Sequence, residues 1–165
     1  MKVPAGSLLS VPFVGCSSFG SFPFIIALFS KIDAKNQSKT PTAEMTAVPS
    51  PFEWSATFDV KHDELNEQHK KLFALINDLD HNRGDATKLN DLLGFVQFHF
   101  KTEEDLFEAK QFNDGGAHKA IHDKFVGDAV AATSGKPVVD ATIDFLKNWL
   151  VNHICGCDML YVGKL

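Results

Sequence analysis

Four stretches of this chain carry an apolar stripe at helical spacing, and each stripe is interrupted by histidine at a position that faces inward. The first runs roughly from Asp63 to Leu79, where Leu65, His69, Leu72, Phe73, Ile76 and Leu79 recur at i, i+3, i+4 intervals. The second begins after Asp85, a capping residue, and reaches about Gln111; its stripe is Leu89, Leu92, Leu93, Val96, His99, Glu103, Leu106 and Phe107. The third, from about Ala117 to Ala132, places His118, Ile121, His122, Phe125 and Val126 inward. The fourth opens on Asp140 as its cap and aligns Ile143, Leu146, Trp149, Leu150 and His153. Asn82 and Gly84, the run Asn113-Asp114-Gly115-Gly116, and Thr133 to Pro137 mark the turns between them. No strand pattern and no internal repeat is present. The pattern predicts an all-α, antiparallel up-down four-helix bundle.

All seven histidines lie after residue 61. His62 and His81 fall at a helix entry and in a turn and read as solvent residues. The other five sit on the stripes. His118 and His122 are i, i+4 on one face, as are His99 and Glu103. Burying five imidazoles and a carboxylate without partners costs several kcal/mol in total. A single such histidine reads as ordinary core; a set drawn from all four helices points to metal held between facing helices. Five imidazoles with few carboxylates suit Zn, Cu, Fe or Ni. They are too many for one tetrahedral zinc, whereas two metals sharing carboxylates fit the count. Glu103 is one candidate bridge and Asp158 the other. On a regular helix Asp158 stands about 140° from the His153 face, so Gly156 has to let the helix end loosen.

The chain before this region differs in kind. From Val3 to Ser30 there is no charged residue, and Pro12, Pro23, Gly15 and Gly20 break it up, so it cannot form one spanning helix of about 20 apolar residues. Lys2 and the run Phe24 to Phe29 sketch a signal peptide, but no small-residue cleavage site follows. Residues 1–48 read instead as a disordered extension or as sequence upstream of a start at Met45, and residues 49–165 as the helical domain. The 121 residues from Met45 to Leu165 carry a net charge of −7, which argues against nucleic acid as a partner. Three cysteines, one of them in the extension, do not make a disulfide framework. Free thiols favour the cytoplasm, with an extracellular fluid as the alternative if the extension is a signal. No membrane association is expected, and a monomer is the default.

The stretches E-Q-H-K-K-L-F around His69, H-F-K-T-E-E around His99, H-K-A-I-H from His118 to His122 and W-L-V-N-H-I-C-G-C-D from Trp149 to Asp158 resemble the hemerythrin family, above all the invertebrate hemerythrins and myohemerythrins. The entry P-F-E-W and the ending Y-V-G-K-L are similar too. The resemblance covers about Pro49 to Leu165. It implies a non-haem di-iron centre in the bundle core, with two iron ions (Fe2+/Fe3+) joined by an oxo or hydroxo group, that binds dioxygen reversibly. It assigns His118, His122 and His153 to one iron, His69 and His99 to the other, and Glu103 and Asp158 to both as bridges.

The iron with two histidines is then a ligand short, and dioxygen would bind there. Leu72 and Leu150 are placed to keep water from that position, with Phe100 and Trp149 packed behind them. At i, i+2, Cys155 and Cys157 point about 200° apart on a helix and read as packing or surface thiols. The expectation is an oxygen transport or storage protein and not an enzyme, with no catalytic residue. A di-iron redox enzyme and an iron or heavy-metal sequestration protein are the alternatives.

Overall fold

The structure, a computed structural model, describes residues 45–165. The expectations for the extension ahead of Met45 lie outside these residues. Four helices follow one another: α1 (Asp63–His81), α2 (Ala86–Lys110), α3 (Gly115–Thr133) and α4 (Asp140–Gly156). No strand occurs among the described residues. Each helix packs on its neighbours in the chain, and α4 returns to pack on α1. Turns of four to six residues force consecutive helices antiparallel. Leu65, Leu79, Leu92, Ile143 and Val151 are almost completely buried between the helices, each stabilising the fold by about 1.5–3 kcal/mol.

Local chemistry sets the ends. The Asp85 carboxylate accepts the Thr87 amide hydrogen and caps α2. The His62 ring stands at the N-cap of α1, with Nδ1 3.5 Å from the Leu65 nitrogen. Two sequence expectations are corrected. Asp140 does not cap α4: Val139 holds that position, Asp140 is the first helical residue, and its carboxylate pairs with Arg83 at 2.5 Å instead. Ile121 does not face inward; it is 40% exposed. His118, His122 and Phe125 already fill the buried face of α3, and Ile121 falls beside that face.

The lead-in to α1 is part of the core. Phe52 and Phe58 pack on Phe73, with ring centroids 4.5 and 5.1 Å apart. Asn66, buried in the first turns of α1, accepts from the Val60 amide at 3.0 Å and donates to Asp59 at 2.8 Å. Packing reaches ahead of the expected boundary at Pro49, for the Thr46 amide donates to Asn152 on α4 and Val48 rests on the core. No helix among the described residues is long and apolar enough to cross a membrane.

The antiparallel wiring brings one set of helix halves together. His69 lies early in α1, His99 and Glu103 late in α2, His118 and His122 early in α3, and His153 late in α4. All therefore occupy one end of the bundle. The start of α3 presses close on α2 there. A Cβ placed on Gly115 would come within 2.9 Å of the Phe107 Cβ, so this approach requires glycine.

Candidate metal centre

Each stripe histidine keeps its inward position. His69, His99, His122 and His153 are at most 4% exposed, His118 is 5% exposed, and Glu103 and Asp158 are fully buried. Asp158 arrives by an interruption of regular structure. α4 ends at Gly156, and after Cys157 the chain enters a 3-10 helix, Asp158–Tyr161. The tighter turn swings the carboxylate back toward His153, which continued α-helix would not do.

The donor atoms of the imidazoles and carboxylates crowd together. Nε2 of His153 lies 3.2 Å from Nε2 of His118 and 3.1 Å from Nε2 of His122. One Asp158 oxygen is 3.1 Å from His153 and 3.2 Å from His118, and the other is 3.3 Å from His69. Glu103 Oε2 is 3.2 Å from His122 and 3.8 Å from both His118 and His99. Both nitrogens of His69, Nδ1 of His122 and of His153, Oε2 of Glu103 and both oxygens of Asp158 are buried without a hydrogen bond. Orphaned groups of this kind are rare in a core because each costs about 1–3 kcal/mol. A cation among them satisfies nitrogen and oxygen lone pairs at once.

The donors form two groups that can each hold a metal ion. One is Glu103, His118, His122 and His153; the other is His69, His99 and Glu103. Glu103 belongs to both, and Asp158 touches histidines of both. The residues thus fit a pair of metals.

Residues around the donors fix their protonation and direction. Gln68 Nε2 donates to Thr102 Oγ1 at 3.3 Å and to Glu64 at 3.4 Å. Its Oε1 therefore faces His99 Nδ1, 2.9 Å away. His99 carries its proton on Nδ1 and turns the Nε2 lone pair into the site. Glu104 Oε1 stands 3.5 Å from His122 Nδ1. Tyr161 donates its hydroxyl hydrogen to Glu103 Oε1 at 2.7 Å, which leaves Oε2 facing the histidines.

The electrostatics follow from burial and from the carboxylate pair. Burial pulls His99 down to about 4 and, with the charges of His153 and His118, pulls His122 down to about 3. Both are neutral near pH 7, the form in which an imidazole can bind a metal. Burial also acts to lower His153, but the Asp158 carboxylate outweighs it and lifts that imidazole to about 10. Burial raises Glu103, and the negative charge of Asp158 adds to the rise. Asp158 is held well below the usual carboxylate range, because the His153 charge and the imidazoles of His118 and His69 overcome its burial. Burial and the two carboxylates push the Tyr161 phenol far up, so it remains a donor.

Leu72 and Leu150, expected as pocket wall, are 2% and 4% exposed. Phe100 lies flat on the ring of His122 and Trp149 on that of His153. The supporting roles of Gln68, Glu104 and Tyr161 were not read from the sequence. Gln68 stands in the stretch around His69 and Tyr161 in the terminal Y-V-G-K-L, but neither carries a spacing signal.

The comparison with protein families agrees with this geometry. The model of the hemerythrin HHE cation binding domain matches residues 60–165. The chain belongs to the hemerythrin family. A hemerythrin-like protein of Naegleria gruberi is 58% identical over 120 residues, covering 73% of this chain and 98% of that one. The myohemerythrin of Riftia pachyptila is 41% identical over 118 residues, 72% of this chain and 97% of its own. A crystal structure of wild-type hemerythrin superposes with a TM-score of 0.62 at 33% identity, covering 68% of this chain and 95% of that chain. This hemerythrin-family chain therefore joins the four-helix architecture to a buried histidine and carboxylate cluster suited to metal.

Proposed function

We propose that this chain binds dioxygen reversibly, as an oxygen carrier or store, at two iron ions held by His69, His99, Glu103, His118, His122, His153 and Asp158. The observation that carries this reading is the shared carboxylate: Glu103 serves both donor groups, and Asp158 approaches histidines of both. Membership of the hemerythrin family supports iron as the metal. Bound irons bridged by an oxo or hydroxo group would supply the electrons that dioxygen takes up on binding and returns on release.

The side chains perform the rest. His118, His122 and His153 give one position three nitrogens, while His69 and His99 give the other only two. That difference leaves room for a small diatomic on the two-histidine side. Tyr161 and Gln68 hold Glu103 and His99 in place through the contacts at 2.7 and 2.9 Å. Leu72 and Leu150 keep water out, and such an apolar shell governs solvent access and redox behaviour at metal sites. Among the described residues, the ionisable groups at the centre are the proposed ligands, with Tyr161 tied to Glu103 and Glu104 beside His122. None is left over as an acid–base catalyst, which favours a carrier over an enzyme.

Metal analysis should find two irons per chain. The anaerobic ferrous protein should gain a visible absorption band in air and lose it under vacuum through repeated cycles. Irreversible oxidation in the first cycle without such a band would overturn the carrier reading and favour a di-iron redox enzyme. Iron retained with no response to dioxygen would favour sequestration, and a single zinc would overturn the assignment of the centre.

A further inference from the structure

The three-histidine group has a feature that the two-histidine group lacks. The Phe100 ring lies face to face with the His122 imidazole, centroids 3.7 Å apart and planes 2° from parallel. The Trp149 indole lies on His153 at 4.3 Å and 13°. On the other side, His69 and His99 meet edge to face at 4.8 Å and 73°. The Phe100 contact with His99 is tilted by 46° at 5.8 Å. Phe125 backs the arrangement, stacking on Trp149 at 3.8 Å and 21°.

We infer that Phe100 and Trp149 are positioning residues that clamp His122 and His153, giving the three-histidine position its rigidity and leaving the two-histidine position adaptable. This rests on the two-metal reading above. The physical reason lies in the ring electronics. Two electron-rich rings avoid a direct sandwich and prefer offset or edge-to-face contact. A parallel stack as close as that of Phe100 and His122 is most favourable when one partner is electron-poor. An imidazole bound to a metal cation is electron-poor, and the face of Phe or Trp attracts positive charge. The stacks therefore strengthen when the metal is bound, so they add to metal affinity and not only to packing. They also stop the two rings rotating away from their shared target.

The division of labour matters for the proposed activity. The clamped position keeps its three nitrogens fixed while the other position, free of any stack, changes its surroundings as a small molecule enters and leaves. Both clamping residues were expected to line the oxygen pocket. Their stacking adds a contact with the side that carries its full set of histidines.

The test uses the full chain and cobalt(II) as probe, added without oxygen. Paramagnetically shifted N–H proton signals of His118, His122 and His153 report one position, and those of His69 and His99 report the other. Trp149→Leu and Phe100→Leu keep an apolar side chain and remove the π face. In each, half-saturation of the His122 and His153 signals should require roughly ten-fold more cobalt, in line with other outer contacts to ligand imidazoles. The His69 and His99 signals should fill as before. Trp149→Phe, which retains an aromatic face at a half-buried position, should restore the native titration, and far-UV circular dichroism identifies any variant that fails to fold. Equal weakening of both positions, or unchanged titration in a folded Leu variant, would overturn the clamp. Neither result bears on reversible oxygen binding by the iron-loaded native chain, so the two readings fail separately.

Discussion

Replacing Tyr161 by Phe isolates one hydrogen bond in the buried centre. The ring, 1% exposed, retains its packing against Phe107 at 5.6 Å, so no cavity opens. What disappears is the donation to Glu103 Oε1 at 2.7 Å. Glu103 has no exposure to water, so the abandoned oxygen finds no replacement donor. An unpaired buried acceptor costs about 1–3 kcal/mol. For a domain of this size that is a loss of roughly 4–12 °C in Tm. Urea unfolding of metal-loaded wild type and Y161F, followed by tryptophan fluorescence and circular dichroism, should show a lower midpoint with an unchanged m-value. A difference under about 0.5 kcal/mol, the range of an ordinary surface substitution, would refute the view that this bond holds the carboxylate.

Three further outcomes are expected. Gln68→Leu leaves the buried Nδ1–H of His99 without its acceptor and should weaken metal binding at the two-histidine position by roughly 10–100-fold, while Gln68→Glu keeps an acceptor; metal titration distinguishes them. Gly115→Ala drives a methyl group against Phe107 and should cost about 1–3 kcal/mol. Gly116→Ala meets nothing within 4 Å and should be neutral or stabilising by up to about 1 kcal/mol, as thermal unfolding will show. Asp80 is held below its usual range by hydrogen bonds from Lys147 at 2.6 Å and Arg83 at 2.5 Å, so its contribution is complete above the ordinary aspartate value and is lost as pH falls through the lowered one. Asp80→Asn should cost about 1 kcal/mol at neutral pH. Its deficit should shrink below about pH 4, and a deficit constant with pH would count against the pairing.

Helical periodicity revealed four helices because each must bury one apolar stripe. It also exposed the five histidines, because imidazole on such a stripe demands a reason. The same arithmetic stopped at Asp158. Periodicity describes a helix that continues, whereas α4 ends at Gly156 and a 3-10 turn redirects the chain. Ile121 was misplaced because the stripe of α3 is narrow and two histidines already occupy it. Gln68 and Tyr161 were missed for a different reason. Their contacts bridge 31 and 58 residues, and hydrogen bonds between distant segments have no period. Phe100 and Trp149 were recognised as near the centre, but which ring they cover depends on the angle between helices.

The orphaned polar atoms of the centre also bear on how long the protein persists. A chain that folds without metal must bury these groups unpaired, so its unfolded fraction is larger and proteases find it more often. Metal held at the centre would favour the folded form and withdraw it from that pool. Supply of the ion would then govern how long the protein lasts as well as what it does, and copies that never receive it would be the first cleared.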